Sequence, residues 1–277
     1  MTRRGRIAAL VITVVMTFLS AAVYSAGNAE DTLVLPVLMY HNIAEEYSDA
    51  AKDENITPER FREHMQGILQ RGYTPILITD YYDFILRGEK LPENPIAITF
   101  DDGYLSNYEI AYPYLREHNM PATIFVVTST VGLTPESGKV STPHFSWEQA
   151  REMQQSGIID IHSHSHTHKS MMSLTPAQLQ MDLRLSKYLI ERNLGKNCYI
   201  FSYPYGGYSE DTLRMAKYAG YRMQILVNDR ESREDYLANR ASDGIEHFTR
   251  LTVSGDMTVQ DLYNRIDIAV KNSLSAE

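Results

Sequence analysis

The sequence predicts an α/β protein, a distorted (β/α) barrel of about seven or eight parallel strands in a single domain. Three observations lead there. From Leu33 onward, short β-rich runs alternate with helical segments, which implies parallel pairing through right-handed crossovers. The number of such units suits a closed or nearly closed sheet better than a small open one. A composition of 43% hydrophobic and 22% charged residues over 277 positions is that of a globular chain able to bury a core of this size. An open doubly wound sheet is the alternative architecture, and both bring ligands to the carboxyl ends of the strands.

In chain order, the first 29 residues read as a secretory signal or an N-terminal membrane anchor. Arg3, Arg4 and Arg6 precede an apolar stretch from Ile7 to Tyr24, and small residues stand at Ala22, Ala26 and Ala29. Residues 30–277 form the candidate catalytic domain. The run 33–40 reads as its first strand, and Thr57 with Pro58 opens a helix as cap and first helical residue. Strand 74–78, helix 80–88 and strand 95–100 follow. Next come a helical stretch to about His118, strand 122–127 and a loop rich in Gly, Pro and Ser. Ser146 with Gln149, and Thr175 with Gln178, form capping boxes for two further helices. Strand 158–161 lies between those two helices. Strand 198–201, helix 209–219, strand 222–227, strand 247–253 and a helix from Thr258 complete the series.

Charge and cysteine content narrow the function classes. The formal charge of −9 becomes −12 without the three N-terminal arginines, which excludes a nucleic acid partner on electrostatic grounds. Cys198 is the only cysteine, so no internal disulfide forms, and an exported chain of this kind points to a bacterium. The expected localisation is secreted or cell-surface associated. Membrane contact is expected only through an uncleaved N-terminal segment, and the chain is expected to be a monomer.

Four polar clusters stand at predicted strand ends: Tyr40-His41-Asn42, Asp101-Asp102, the histidine run 162–168, and the turn 202–207. In a barrel these converge on one pocket. A carboxylate and two imidazoles are a frequent ligand set for a catalytic divalent metal. The histidine run offers two pairs four residues apart, His162 with His166 and His164 with His168, and spacing does not choose between them. Of two adjacent aspartates, one can bind the ion while the other takes a proton from the attacking water. Taken singly, each cluster has a plainer explanation as a cap, a turn, a solvated loop or a hydrogen-bonded histidine. Their joint placement is what argues for chemistry.

The strings "TFDDG" (99–103), "SHSHTH" (163–168) and "FSYPYG" (201–206) resemble the signature of NodB-type polysaccharide deacetylases, the fourth family of carbohydrate esterases. The phrases "PVLMYHNI" (36–43) and 145–168 are similar to secreted bacterial members, including those acting on poly-N-acetylglucosamine. The resemblance implies a metal, zinc or another divalent transition metal, on Asp102, His164 and His168. It implies Asp101 as general base and the Tyr205 backbone N–H as an oxyanion donor, with Tyr203, Pro204 and Tyr205 at the substrate. The implied reaction is removal of N-acetyl groups from N-acetylglucosamine units of a cell-surface or extracellular polysaccharide such as poly-N-acetylglucosamine, peptidoglycan or a chitin-like polymer. An O-acetyl esterase on a xylan-type polymer and a catalytically weak carbohydrate-binding relative are the alternatives.

Two departures from the family pattern stand out. Val253 occupies the place of a late histidine that serves as general acid, and Ser202 replaces an arginine that tunes the base. Both are features of the poly-N-acetylglucosamine subgroup. They leave the general acid to another residue, for which His41 is the leading candidate.

Overall fold

The structure is a computed structural model that describes residues 33–137, 140–227, 236–245 and 248–275. The predicted signal or anchor over residues 1–29 lies outside the described residues. No helix among the described residues is long and apolar enough to cross a membrane.

Eight strands make one parallel sheet: β1 (Val37–Tyr40), β2 (Thr74–Ile76), β3 (Pro95–Phe100), β4 (Ala122–Val126), β5 (Ile159–Ser163), β6 (Ile200–Ser202), β7 (Met223–Ile225) and β8 (Leu251–Thr252). Seven follow the order β7-β6-β5-β4-β3-β1-β8, and β2 pairs with β3 beside that path. One edge of β3 is shared, since β2 pairs with Pro95–Ala97 and β4 with Thr99 and Phe100. The sheet curls until its ends approach. Phe248 bridges Ile225 in parallel, and three residues later Leu251 pairs with Leu38 of β1. The result is the distorted barrel that strand-helix alternation predicts.

Alternating side chains divide the core in two. Val37, Ala97, Phe125, Ile200 and Met223 fill the barrel, whereas Leu38, Ile98, Ile124, Ile161 and Phe201 face the surrounding helices. Covered on both faces, β3 is buried at all six positions, which is why its sequence reads as an unbroken apolar run. The helices are α1 (Pro58–Gln70), α2 (Ile78–Arg87), α3 (Tyr112–Glu117), α4 (Trp147–Gln155), α5 (Pro176–Leu194), α6 (Glu210–Tyr218) and α7 (Val259–Ser275). Thr57, Ser146 and Thr175 cap α1, α4 and α5 with side-chain oxygens, as their sequence pattern requires.

Several boundaries differ from the sequence reading, the strands predicted at 198–201, 222–227 and 247–253 being shorter or shifted, and three differences shape the barrel and its rim. Pro36 has no N–H and splits the first run, leaving Val34–Leu35 to pair antiparallel with Asn239–Arg240 while β1 joins the barrel. Helix α2 begins at Ile78, within the predicted strand, because the Asp80 carboxylate accepts the Leu77 N–H at 2.9 Å. Strand β5 runs on through His162 and Ser163, which pair with Phe125 and Val126, so the histidine run starts inside the sheet.

Candidate active site

Strand β3 ends because the backbone reverses hand. The Asp101 N–H still donates to the Tyr40 carbonyl at 2.9 Å, but Asp102 has φ 70° and Gly103 φ 84°. A Cβ on Gly103 would lie 2.8 Å from Val126 Cγ2, so only glycine fits this turn. The left-handed Asp102 stores strain on the order of 1–3 kcal/mol, which the surrounding sheet holds in place. Asp101 and Asp102 are thereby splayed although adjacent in sequence.

The histidine loop is fixed from below. His164 donates from Nδ1 to the Ser202 carbonyl at 2.9 Å, which leaves Nε2 as the free nitrogen. Ser165 and His168 are left-handed, and the His168 N–H donates to Ser165 Oγ at 2.9 Å. From α5, buried Asp182 accepts the backbone N–H groups of His166 and Thr167 at 2.7 and 2.9 Å. This cradle turns His168 back toward the barrel axis. Its Nε2 lies 3.3 Å from His164 Nε2 and 3.2 Å from Asp102 Oδ1.

The ligand atoms of Asp102, His164 and His168 all fall within 4.8 Å of one another. The donor set fits a divalent cation. Two imidazole nitrogens face each other across a carboxylate oxygen, and Asp102 Oδ1 is buried without a hydrogen-bond partner. Burial lowers the His164 pKa, against the pull of Asp101 and Asp102, and so favours the neutral ring that a metal requires. The other two histidines turn elsewhere. His162 points into the barrel, with Nε2 3.1 Å from Asp160 Oδ2, and His166 Nδ1 lies 2.9 Å from Thr128 Oγ1.

Asp101 is buried against Arg250, which grips it with two nitrogens, Nη1 and Nη2, each at 2.6 Å from a carboxylate oxygen. Arg250 also donates to Ser202 Oγ at 2.8 Å and is itself fully buried. Burial alone would raise the Asp101 pKa. The Arg250 charge and then His164 outweigh it and hold the carboxyl well below the usual range, so Asp101 is ionised at neutral pH. Its Oδ2 lies 3.5 Å from His164 Nε2, beside the candidate metal position.

These groups line a cavity of about 330 Å³ at the carboxyl ends of the strands. His41 lies in its wall with a buried Nδ1 that has no partner. Tyr203 and Tyr205 also reach it, but differently. The Tyr203 side chain is buried and its phenol donates to Gln224 at 2.5 Å, while Tyr205 has φ 59°, is 68% exposed and packs its ring 4.8 Å from that of His168. Pro204 is buried in the turn between them. Val253 is buried too, and its N–H donates to the Met39 carbonyl at 3.0 Å, so no imidazole enters the cavity from there.

Two residues escaped the sequence reading. Arg250 takes the charge-pairing place left by Ser202, reaching it from the last part of the barrel, three residues before Val253. Asp182 sits inside an ordinary amphipathic helix. Its one signal was an acidic residue on the inward face of the helix, next to Leu179 and Leu183.

A curled parallel barrel with two aspartates and two histidines at its carboxyl rim is the NodB-type arrangement, and the solved structures agree on the fold. The Streptococcus pyogenes deacetylase PplD, solved in complex with acetate, aligns with a TM-score of 0.70 at 23% identity, covering 84% of this chain and 98% of that one. IcaB from Ammonifex degensii aligns with a TM-score of 0.69 at 24% identity, covering 84% and 96%. Among sequences, YxkH of Bacillus subtilis (strain 168), named as a polysaccharide deacetylase, is 34% identical over 200 residues, 72% of this chain and 67% of that protein. The poly-β-1,6-N-acetyl-D-glucosamine N-deacetylase of Staphylococcus aureus (strain MSSA476) is 25% identical over 217 residues, 73% of each chain. The polysaccharide deacetylase profile matches residues 88–224. The chain belongs to the polysaccharide deacetylase family, whose members remove acetyl groups from polysaccharides.

Proposed function

We propose that the protein is a metal-dependent N-deacetylase that hydrolyses N-acetyl groups on N-acetylglucosamine units of an extracellular or cell-surface polysaccharide. The observation that carries this reading is the convergence of Asp102, His164 and His168 within 4.8 Å, with ionised Asp101 alongside. The staphylococcal relative supports the substrate class, since its name specifies a poly-β-1,6-linked N-acetylglucosamine polymer.

Asp102, His164 and His168 would hold zinc or another divalent transition metal. Such an ion supplies Lewis acidity and makes water a stronger nucleophile near neutral pH. Asp101 takes the proton of the attacking water, oriented by the two-point grip of Arg250. The Tyr205 backbone N–H donates to the developing oxyanion, its turn fixed by Pro204. His41 supplies the proton that the departing amine needs. The predicted leader over residues 1–29 would deliver the domain to the outside of the cell, where it works as a monomer.

Acetate release from N-acetylglucosamine oligomers, poly-N-acetylglucosamine, peptidoglycan and acetylxylan, with and without added zinc, tests the assignment. Metal-dependent release from an amide substrate is expected. Release confined to acetylxylan would favour O-ester hydrolysis, a reading that Val253 in place of an acid histidine makes specific, because an alkoxide leaves with less help than an amine. Binding without any release would make the protein a carbohydrate-binding relative.

A further inference from the structure

The turn that ends β3 does more than present two aspartates, because residues 101–107 also grip the strap that carries His41. Its anchors fall in succession. The Asp101 N–H donates to the Tyr40 carbonyl at 2.9 Å, and Asn107 Nδ2 donates to the His41 carbonyl at 2.8 Å. Ser106 Oγ accepts the Ile43 N–H at 3.0 Å and donates to Asn42 Oδ1 at 2.7 Å. From the other side, the Asn42 N–H donates to the Glu54 carbonyl at 2.9 Å and Asn42 Nδ2 to Asn55 Oδ1 at 2.9 Å. Asn107 is fully buried, yet its Oδ1 has no hydrogen-bond partner among the described residues, an arrangement that costs stability. Residues 107–111 also wind as a single π turn, with the Tyr112 N–H donating to the Asn107 carbonyl, a rare geometry that recurs at functional sites.

The base and the proton donor of the proposed reaction stand on different segments, Asp101 at the end of β3 and His41 just past β1, so their separation has to be fixed by something that holds both. His41 Nδ1 is buried in the cavity wall, which leaves Nε2 as the ring atom able to meet a substrate. Where that atom sits follows from the backbone that Asn107 holds. A displacement of about 1 Å at a group that transfers a proton costs on the order of 10²-fold in rate. We infer that Asn107, seconded by Ser106, is a positioning residue that sets His41 in register with Asp101, so that proton donor and base meet the same acetamide. Neither Asn107 nor Ser106 lines the cavity, so their effect on the reaction passes through His41. The inference rests on the N-deacetylase reading above, in which His41 protonates the departing amine.

The test is a double-mutant cycle on the zinc-loaded protein, comparing wild type, N107A, H41A and H41A/N107A on an N-acetylglucosamine pentamer and on 4-nitrophenyl acetate. In N107A, kcat on the pentamer should fall about tenfold or more, part of the 10²–10⁴-fold that proton transfer supplies, while the activated ester stays within about twofold of wild type. In the H41A background the same substitution should cost less than about twofold, since no ring is left to position. Ser106 is only half-buried, so S106A is the milder variant; it should show the same pattern at about threefold and carries the test if N107A does not fold. A readout without turnover is the ring ¹H–¹³C signal of His41 in the metal-free protein, assigned by its loss in H41A, which should move in N107A and S106A while those of His164 and His168 stay. Equal losses on pentamer and ester in both variants, or a loss in the H41A background as large as in wild type, would overturn the inference and leave the role of His41 standing. Equal losses on both substrates in H41A itself would defeat the proton-donor reading and the inference with it. Absence of acetate release from the wild type would defeat the deacetylase reading, and an unmoved His41 signal in both variants would overturn the positioning role on its own.

Discussion

Two carboxylates are buried inside one barrel with a cation beside each, at opposite heights. Asp101, where β3 ends, is held by Arg250. Asp160, near the start of β5, is held by Lys196, by His162 at 3.1 Å and by Gln154 at 3.1 Å. Both are driven well below the ordinary carboxylate range after burial has been outweighed, Asp101 by Arg250 and Asp160 by His162 and Lys196. Charge burial and a displaced pKa therefore do not distinguish them. What differs is the surroundings: Asp101 faces a cavity and convergent ligand atoms, while Asp160 is enclosed by its own partners and Tyr199 packs at 5.3 Å from the His162 ring. A perturbed group marks a site only when something is left open beside it.

The comparison breaks most sharply at the histidines. His164→Ala should abolish stoichiometric zinc binding, whereas His162→Ala should retain it; equilibrium dialysis with metal analysis reads both. Full occupancy in the first variant would remove the distinction between the two heights. Next in size is the loss of each cation. Arg250→Met strands a fully buried carboxylate and should cost about 3–5 kcal/mol in denaturant unfolding. Lys196→Met should cost less, on the order of 1–2 kcal/mol, since Asp160 keeps two partners and the lysine is 19% exposed.

Activity sharpens the contrast further. Asp101→Asn should retain metal and lower turnover about 10²-fold or more, while Asp160→Asn should leave the rate of the folded enzyme near that of the wild type. Near-normal turnover in Asp101→Asn would make both carboxylates structural. His41→Ala should slow amide hydrolysis strongly while sparing an aryl acetate, whose leaving group needs no proton, and equal losses on both would mark His41 as part of the wall.

The smallest effect is one of pH, measured on the metal-free protein. With its folded pKa depressed, Asp101 contributes stability above its unfolded value of about 3.9, and that contribution is lost only as the pH falls through the lower folded value. Without Arg250, burial raises the folded value above the unfolded one, so the penalty is largest at neutral pH and fades on acidification. The stability gap between wild type and Arg250→Met should therefore narrow between pH 7 and pH 4. A gap that widens would contradict the pairing.

Much of this was legible in the sequence because periodicity and caps are local. The apolar run into Asp101, the capping boxes at Ser146 and Thr175, and the strand-helix alternation all express interactions within a few residues, and each reappears in the fold. The candidate metal set needed more than spacing, since both histidine pairs satisfy the same interval. What separates them is the turn at Ser165 and the Asp182 cradle, neither of which has a local pattern. Arg250 was invisible for a related reason: its partner stands 149 positions earlier, and nothing in a serine at position 202 says which distant side chain fills the space it leaves.

That distance has a consequence for how the protein comes into being. A chain emerging from the ribosome exposes Asp101 long before residue 250 exists, and burying the lone carboxylate would be unfavourable until its counter-charge is made. The final strand, which also brings Phe248 against Ile225 and Leu251 against Leu38, is the piece that makes this burial favourable. Barrel closure and the pairing of Asp101 are thus one event, and a fragment released early carries the conspicuous Asp-Asp and histidine strings without the arginine that grips Asp101.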